Sequence, residues 1–103
     1  MLRTGLRNRG KQGAINAKAN KKIAEMWEYE QINYCEIGLP GCMRTWPLQN
    51  VHRHRRNWYY NQPELLWDFN QVVRGCQVCH EQLDRRTEEA KQLTEEVFNR
   101  LRP

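Results

Sequence analysis

The chain has 103 residues and a mass of 12.5 kDa, room for one small domain and too little for two self-sufficient cores. Hydrophobic residues make up 39%, charged residues 28%, and the mean hydropathy is −0.99, which excludes a large apolar core, and no apolar run approaches the ~18 residues of a membrane span. Lys and Arg number 17 against 12 Asp and Glu, and a formal charge of +5 suits a polyanionic partner whose phosphates those cations neutralise.

The first segment, MLRTGLRNRGKQG, is rich in Gly and Arg and has no hydrophobic period, so residues 1–13 are expected to be a mobile basic arm. Together with Lys18, Lys21 and Lys22 it forms an acid-free stretch, residues 1–22. It lacks the apolar run of a signal peptide, and a soluble cytoplasmic protein without a membrane partner is the expectation. From Ile15 to about Gln31 the composition turns to Ala, Lys and Glu, with Ile15, Ala19, Ile23, Met26 and Trp27 at helical spacing. That spacing predicts a lead-in helix over 14–31, with Asn16 or Asn20 as its cap.

Residues 32–47 read as a cysteine loop, and Leu48–His54 as a short strand whose alternation sets His52 and His54 on one face. A loop through NWYYNQPE follows, then a second strand over Phe69–Arg74, and CQVCH begins a helix. Beyond Glu81 the pattern is helical, with Leu83, Ala90, Leu93, Val97 and Leu101 near one face. Thr87 followed by Glu88 and Glu89 predicts a break at 85–88 and a restart capped by the hydroxyl. The six acids of this segment make it the part least suited to DNA, and a packing or dimer element instead.

Cys35, Cys42, Cys76 and Cys79 come as two pairs about thirty residues apart, in a chain expected to remain in the reducing cytosol. Four thiolates so spaced read as a zinc site: CQVC has knuckle spacing, and CEIGLPGC is wider but holds Gly38, Pro40 and Gly41 to turn the chain back. One ion joining both pairs would knit together a domain with little core. A second acid-free window, Ile37 to Pro63, holds Arg44, Arg53, Arg55 and Arg56, and all three histidines lie close by: His52, His54 and His80. Imidazoles suit a divalent transition metal, and one beside it can activate water. Trp58, Tyr59 and Tyr60 are placed either to stack on a base or to roof the core, while Trp27, Trp46 and Trp67 are read as packing.

The succession CEIGLPGC, VHRHRR and NQVVRGCQVCH resembles the HNH endonucleases over about residues 33–86, and the whole chain looks like small phage-encoded proteins of that type. The resemblance implies a small α+β fold: a zinc-stabilised ββα-metal module with an N-terminal helix and a C-terminal helical extension at 87–103, all one domain over 14–103. It implies a metal-dependent DNA endonuclease, nicking or cutting both strands, with one catalytic divalent ion such as Mg²⁺, Mn²⁺, Ni²⁺ or Zn²⁺ beside the structural zinc. His52 matches the general base, with Arg56 four residues on, where the family often has an arginine near the scissile phosphate. His80 matches the closing metal ligand. The residue before the base is often an Asp or His ligand; here it is Val51, so His54 is the substitute, and a shifted register would make His52 the ligand and His54 the base. The position of the family's central asparagine is Gln71, with Asn70 beside it, and either amide suits the holding of the histidine loop.

Arg53, Arg55, Arg56, Arg44, Lys21 and Lys22 are the candidate DNA contacts. The expected partners are DNA and either a second copy through the C-terminal helix or a phage protein; for a phage-encoded chain the compartment is the host bacterial cytoplasm. The alternative function is a zinc-stabilised nucleic-acid-binding or regulatory module with a degenerate, non-catalytic site.

Overall fold

A computed structural model describes residues 2–103, with side chains from Gln12 onward. Its first element, α1, is a helix over Leu2–Glu30. The segment read as an arm thus takes helical backbone from Leu2, and Asn16 and Asn20 lie inside the helix and cap nothing. Residues 2–13 lack an apolar period, but they also lack proline, and Leu, Arg, Lys and Gln are good helix formers. The expected mobility of the arm falls largely on residues 1–11, whose side chains lie outside those described.

The predicted stripe does hold: Ala19, Ile23 and Trp27 are buried, with Ile15 and Met26 partly so. Helix α1 stops by geometry that its sequence conceals. Gln31 takes a left-handed φ of 57°, its N–H donates to Glu28 O at 3.2 Å, and Ile32 N–H reaches back to Trp27 O at 2.9 Å. This is the Schellman pattern, with Ile32 packed on Trp27 as its hydrophobic contact. Glutamine there stands where glycine is the usual choice.

After the cysteine loop come β1 (Leu48–His52) and β2 (Val72–Cys76), paired antiparallel with Leu48 opposite Cys76 and His52 opposite Val72. The first strand is two residues shorter than its alternation predicts. The second starts three residues later, because Phe69–Gln71 winds as a 3-10 turn whose entry Asp68 caps by accepting from Asn70 N–H. Two more 3-10 turns, Arg56–Tyr59 and Pro63–Trp67, shape the connection between the strands. Helix α2 (Gln77–Leu83) follows β2 at once, and α3 (Glu88–Leu101) closes the fold. The break between them falls where Thr87 predicts it: its side chain accepts from Ala90 N–H at 3.1 Å.

The architecture is small α+β in three layers. One sheet face meets α1, where Val72 packs with Ile23, Trp27 and Ile32, and Trp27 Nε1–H donates to Asn50 Oδ1 at 2.9 Å. Across the other face Val51 and Val73 pack with Leu83, Val97 and Phe98 from α2 and α3. Each wholly buried Ile or Val contributes ~1.5–3 kcal/mol. The apolar face of α3 is therefore covered by the chain's own core, the packing role anticipated for it. A buried ion pair ties the C-terminus to the cysteine loop: Arg102 Nη2 and Glu36 Oε2 are 2.9 Å apart, and the guanidinium lies 3.7 Å over the Phe69 ring. Among the described residues no helix is long and apolar enough to cross a membrane.

Candidate functional site

The four cysteines converge. Their sulfurs all lie within 4.8 Å of one another, and Cys42 Sγ and Cys76 Sγ are 4.0 Å apart. A tetrahedral ion with ~2.3 Å bonds to sulfur would set them ~3.8 Å apart, so the thiols are positioned to hold a metal ion such as zinc. Left-handed φ at Gly38 (70°) and Gly41 (84°) turns the first pair back on itself, as its sequence suggests. A Cβ at Gly41 would also come 3.3 Å from Val78 Cγ1, so the loop lies close on α2.

Backbone N–H groups aim at the sulfurs: Leu39 at Cys79 (3.4 Å), Met43 at Cys76 (3.2 Å) and Arg44 at Cys42 (3.3 Å). Burial pushes the Cys76 thiol up, but the N–H groups of Cys79 and Met43 and the neighbouring thiols outweigh it, and the pKa falls to about 6. Burial raises Cys79 and Cys42. A metal held there takes all four as thiolates.

The histidines take up different surroundings. His52, at the end of β1, faces the α1 side, and its Nε2 lies 2.8 Å from Leu66 O. A carbonyl only accepts, so Nε2 carries the proton and Nδ1 keeps the lone pair. Burial pulls the His52 pKa below its ordinary 6.5; the Leu66 carbonyl opposes, and the charge of Arg56 adds to the fall. On the first turns of α2, His80 Nδ1 lies 2.6 Å from Gln49 Oε1, an amide oxygen that fixes the proton on Nδ1 and leaves Nε2 with the lone pair.

Gln49 points to the opposite strand face from His52, so these two histidines do not face each other across one sheet surface. They meet around the free edge of β1. His54 is not on the strand at all: β1 ends at His52, and Tyr59 Oη accepts from His54 N–H at 3.2 Å. The His54 ring is left stacked on Trp58 with centroids 4.1 Å apart, exposed, and its pKa is lowered by partial burial and by Arg53. The expected sharing of one strand face by His52 and His54 is thereby corrected. Among the described residues the four thiols are the group that converges at ligand distance, and the three imidazoles form no such set.

All three histidines nevertheless line one cleft of about 940 Å³ around the edge of β1, between α1 and the α2–α3 corner. Arg55 and Arg56 line it and are exposed. Arg53 also borders it, but its guanidinium lies 5.2 Å over Phe98 and donates to Asn70 O and Asn99 Oδ1 at 3.4 Å, so the fold already uses it. Lys21, Lys22 and Arg44 are exposed and stand outside the cleft lining.

Of the two candidate amides, Gln71 is the one in contact with the histidine segment. Tyr59 Oη donates to Gln71 Oε1 at 3.2 Å while accepting from His54 N–H, and Arg53 N–H donates to Gln71 O at 2.8 Å. Gln71 thus braces the histidine loop through Tyr59, whereas the Asn70 side chain is exposed. Trp46, read as packing, is 75% exposed; Trp27 and Trp67 do pack. Sequence reasoning missed Arg85 and Arg86, which border the cleft from the α2–α3 corner, and Gln49 and Leu66, which orient the histidines. The two arginines were legible as a basic pair next to the predicted helix break; Gln49 and Leu66 carried no signal in sequence. No protein-family model matches the chain, and neither a curated protein nor a solved structure matches it.

Proposed function

We propose that the chain is a metal-dependent DNA endonuclease of HNH type, held together by one zinc ion on Cys35, Cys42, Cys76 and Cys79. The observation that carries this reading is the single cleft in which His52, His80, Arg55 and Arg56 stand together beside the strand–strand–helix unit that the cysteines staple. The tautomers support the division of labour. His52, neutral and with its lone pair on Nδ1, is the general base; His80, with its lone pair on Nε2, is a metal ligand, and His54 is the second imidazole within reach of the same cleft.

A divalent ion at His80, with Mg²⁺, Mn²⁺, Ni²⁺ and Zn²⁺ as candidates and His54 approaching only if its ring leaves Trp58, would supply positive charge against the phosphate. For its own part the protein takes a proton from water onto His52 as the water oxygen attacks phosphorus in line and the 3′ oxygen leaves. Arg56 and Arg55 donate hydrogen bonds to the phosphate oxygens.

A plasmid-nicking assay with each ion tests the reading. His52→Ala is expected to keep the ion and lose turnover by ~10²-fold or more. His80→Ala should weaken metal binding, and Arg56→Ala should slow cleavage with little effect on metal affinity. If His52→Ala loses the metal while His54→Ala keeps it and abolishes cleavage, the two roles are exchanged. Val51 in place of a ligand and the separation of the imidazoles favour a second reading, a non-catalytic nucleic-acid-binding module on the same scaffold. Wild-type protein that binds DNA and cleaves it with none of these ions would establish that reading instead.

A further inference from the structure

Beside the main cleft, and sharing Arg56 and Leu66 with it, lies a smaller pocket of about 270 Å³. Ile15, Tyr59, Tyr60, Pro63 and Leu66 give it apolar walls, and Gln12 and Arg56 stand at its border. Its size is just under the ~300 Å³ at which small-molecule pockets begin, which is room for a single ring system. The aromatic run WYY separates here into three roles. Trp58 is stacked on His54, and Tyr59 is buried with its hydroxyl bonded to the histidine loop. Tyr60 does neither: it is 63% exposed and lines the small pocket. At the far border Gln12 Nε2–H donates to Asn16 Oδ1 at 3.1 Å, which leaves the Gln12 carbonyl oxygen without a partner among the described residues.

We propose that this pocket receives one unstacked nucleobase of the DNA strand whose phosphate lies in the main cleft. This rests on the nuclease or DNA-binding reading above. Arg56 lines both cavities, so a strand whose phosphate it holds in the cleft has an adjoining base within reach of the small pocket. The base meets a tyrosine face and aliphatic walls, and its polar edge meets the Gln12 amide. A base in a duplex is stacked on both sides and cannot enter, so the site selects single-stranded, frayed or distorted DNA next to the bound phosphate.

The test is binding of the zinc-loaded full chain to labelled single strands in which one nucleotide at a time is abasic, without added divalent ion. Base–aromatic stacking is worth ~1–3 kcal/mol, so removal of the one base in the pocket should weaken binding by ~5- to 150-fold, and removal of the others should not. Tyr60→Ala should lower wild-type affinity by a similar factor and erase the difference between intact and abasic strands. Tyr60→Phe should restore both. Tyr60 is exposed, and an unchanged thermal transition checks that its variants fold. Salt-dependent DNA binding with no sensitive abasic position, or the same sensitivity in Tyr60→Ala, overturns the pocket and leaves the DNA reading standing. Absence of DNA binding by the wild type overturns both.

Discussion

His52 shows how one residue's surroundings set its chemistry. Burial lowers its pKa below 6.5, the Leu66 carbonyl opposes, and the charge of Arg56 adds to the fall, so the fold favours the neutral imidazole. Between the folded value and 6.5 the unfolded chain binds more protons than the folded one, so stability rises with pH across that window. The contribution is fully present above pH 6.5 and is lost as the pH falls through the folded pKa. For the general base proposed above, the same depression would keep the working, neutral form populated. With divalent ion saturating, the acid limb of the cleavage rate should therefore have its midpoint below pH 6.5. A midpoint above 6.5 would mean that His52 is not the group that titrates. The sequence placed all three histidines near one another, but it did not reveal their faces. The face of His54 depends on Tyr59 Oη, five residues on across a turn, and the tautomer of His80 on Gln49, thirty-one residues back. Such contacts exist only once the chain has folded, and residue spacing does not encode them.

Among the elements, those ended by local chemistry were legible and those ended by tertiary contact were not. Thr87 with two acids after it announced α3, and its cap bond is present. Thr87→Ala should lower stability by ~1 kcal/mol, read as a fall in the midpoint of thermal unfolding. Gly75 carried no such signal. It sits in β2 opposite Gln49, and a Cβ there would come 2.6 Å from Ile37 Cδ1 and 3.1 Å from Val51 Cγ2. Ile37 is almost wholly buried in the main core, so it has little room to withdraw. Gly75→Ala is expected to destabilise by ~1–3 kcal/mol, the range for overpacking, and a larger loss than Thr87→Ala is the distinguishing result. A Gly75→Ala variant as stable as wild type would show that Ile37 can move aside without penalty. The end of α1 belongs to the same class, because Gln31 in a left-handed conformation is held by Ile32 docking on Trp27.

At the scale of the whole molecule the cysteines do two jobs in one place. Cys35, Cys76 and Cys79 are buried members of the main core, packed with Ile37, Val51, Val73 and Phe98. With Cys42 they also bring the loop after α1 to the β2–α2 junction, segments more than thirty residues apart in sequence. Paired spacing makes this site legible in the sequence, since two close pairs of cysteines are a common pattern of metal ligands. The four sulfurs lie within 4.8 Å of one another, and a zinc ion held there would take every sulfur as thiolate, so its free energy of binding would become free energy of folding. The protein purified in reducing buffer should carry one zinc per chain by elemental analysis. Stripping it with a chelator should collapse the thermal transition, and Cys76→Ser should do the same without a chelator. Because Trp27 lies in the separate cluster on the α1 side of the sheet, loss of the ion should loosen the Phe98 side first. Amide exchange should accordingly rise in α2 and α3 before it rises in the C-terminal half of α1. Zinc-free protein with an unchanged transition would show that the apolar core alone suffices, and the stapling role would fall.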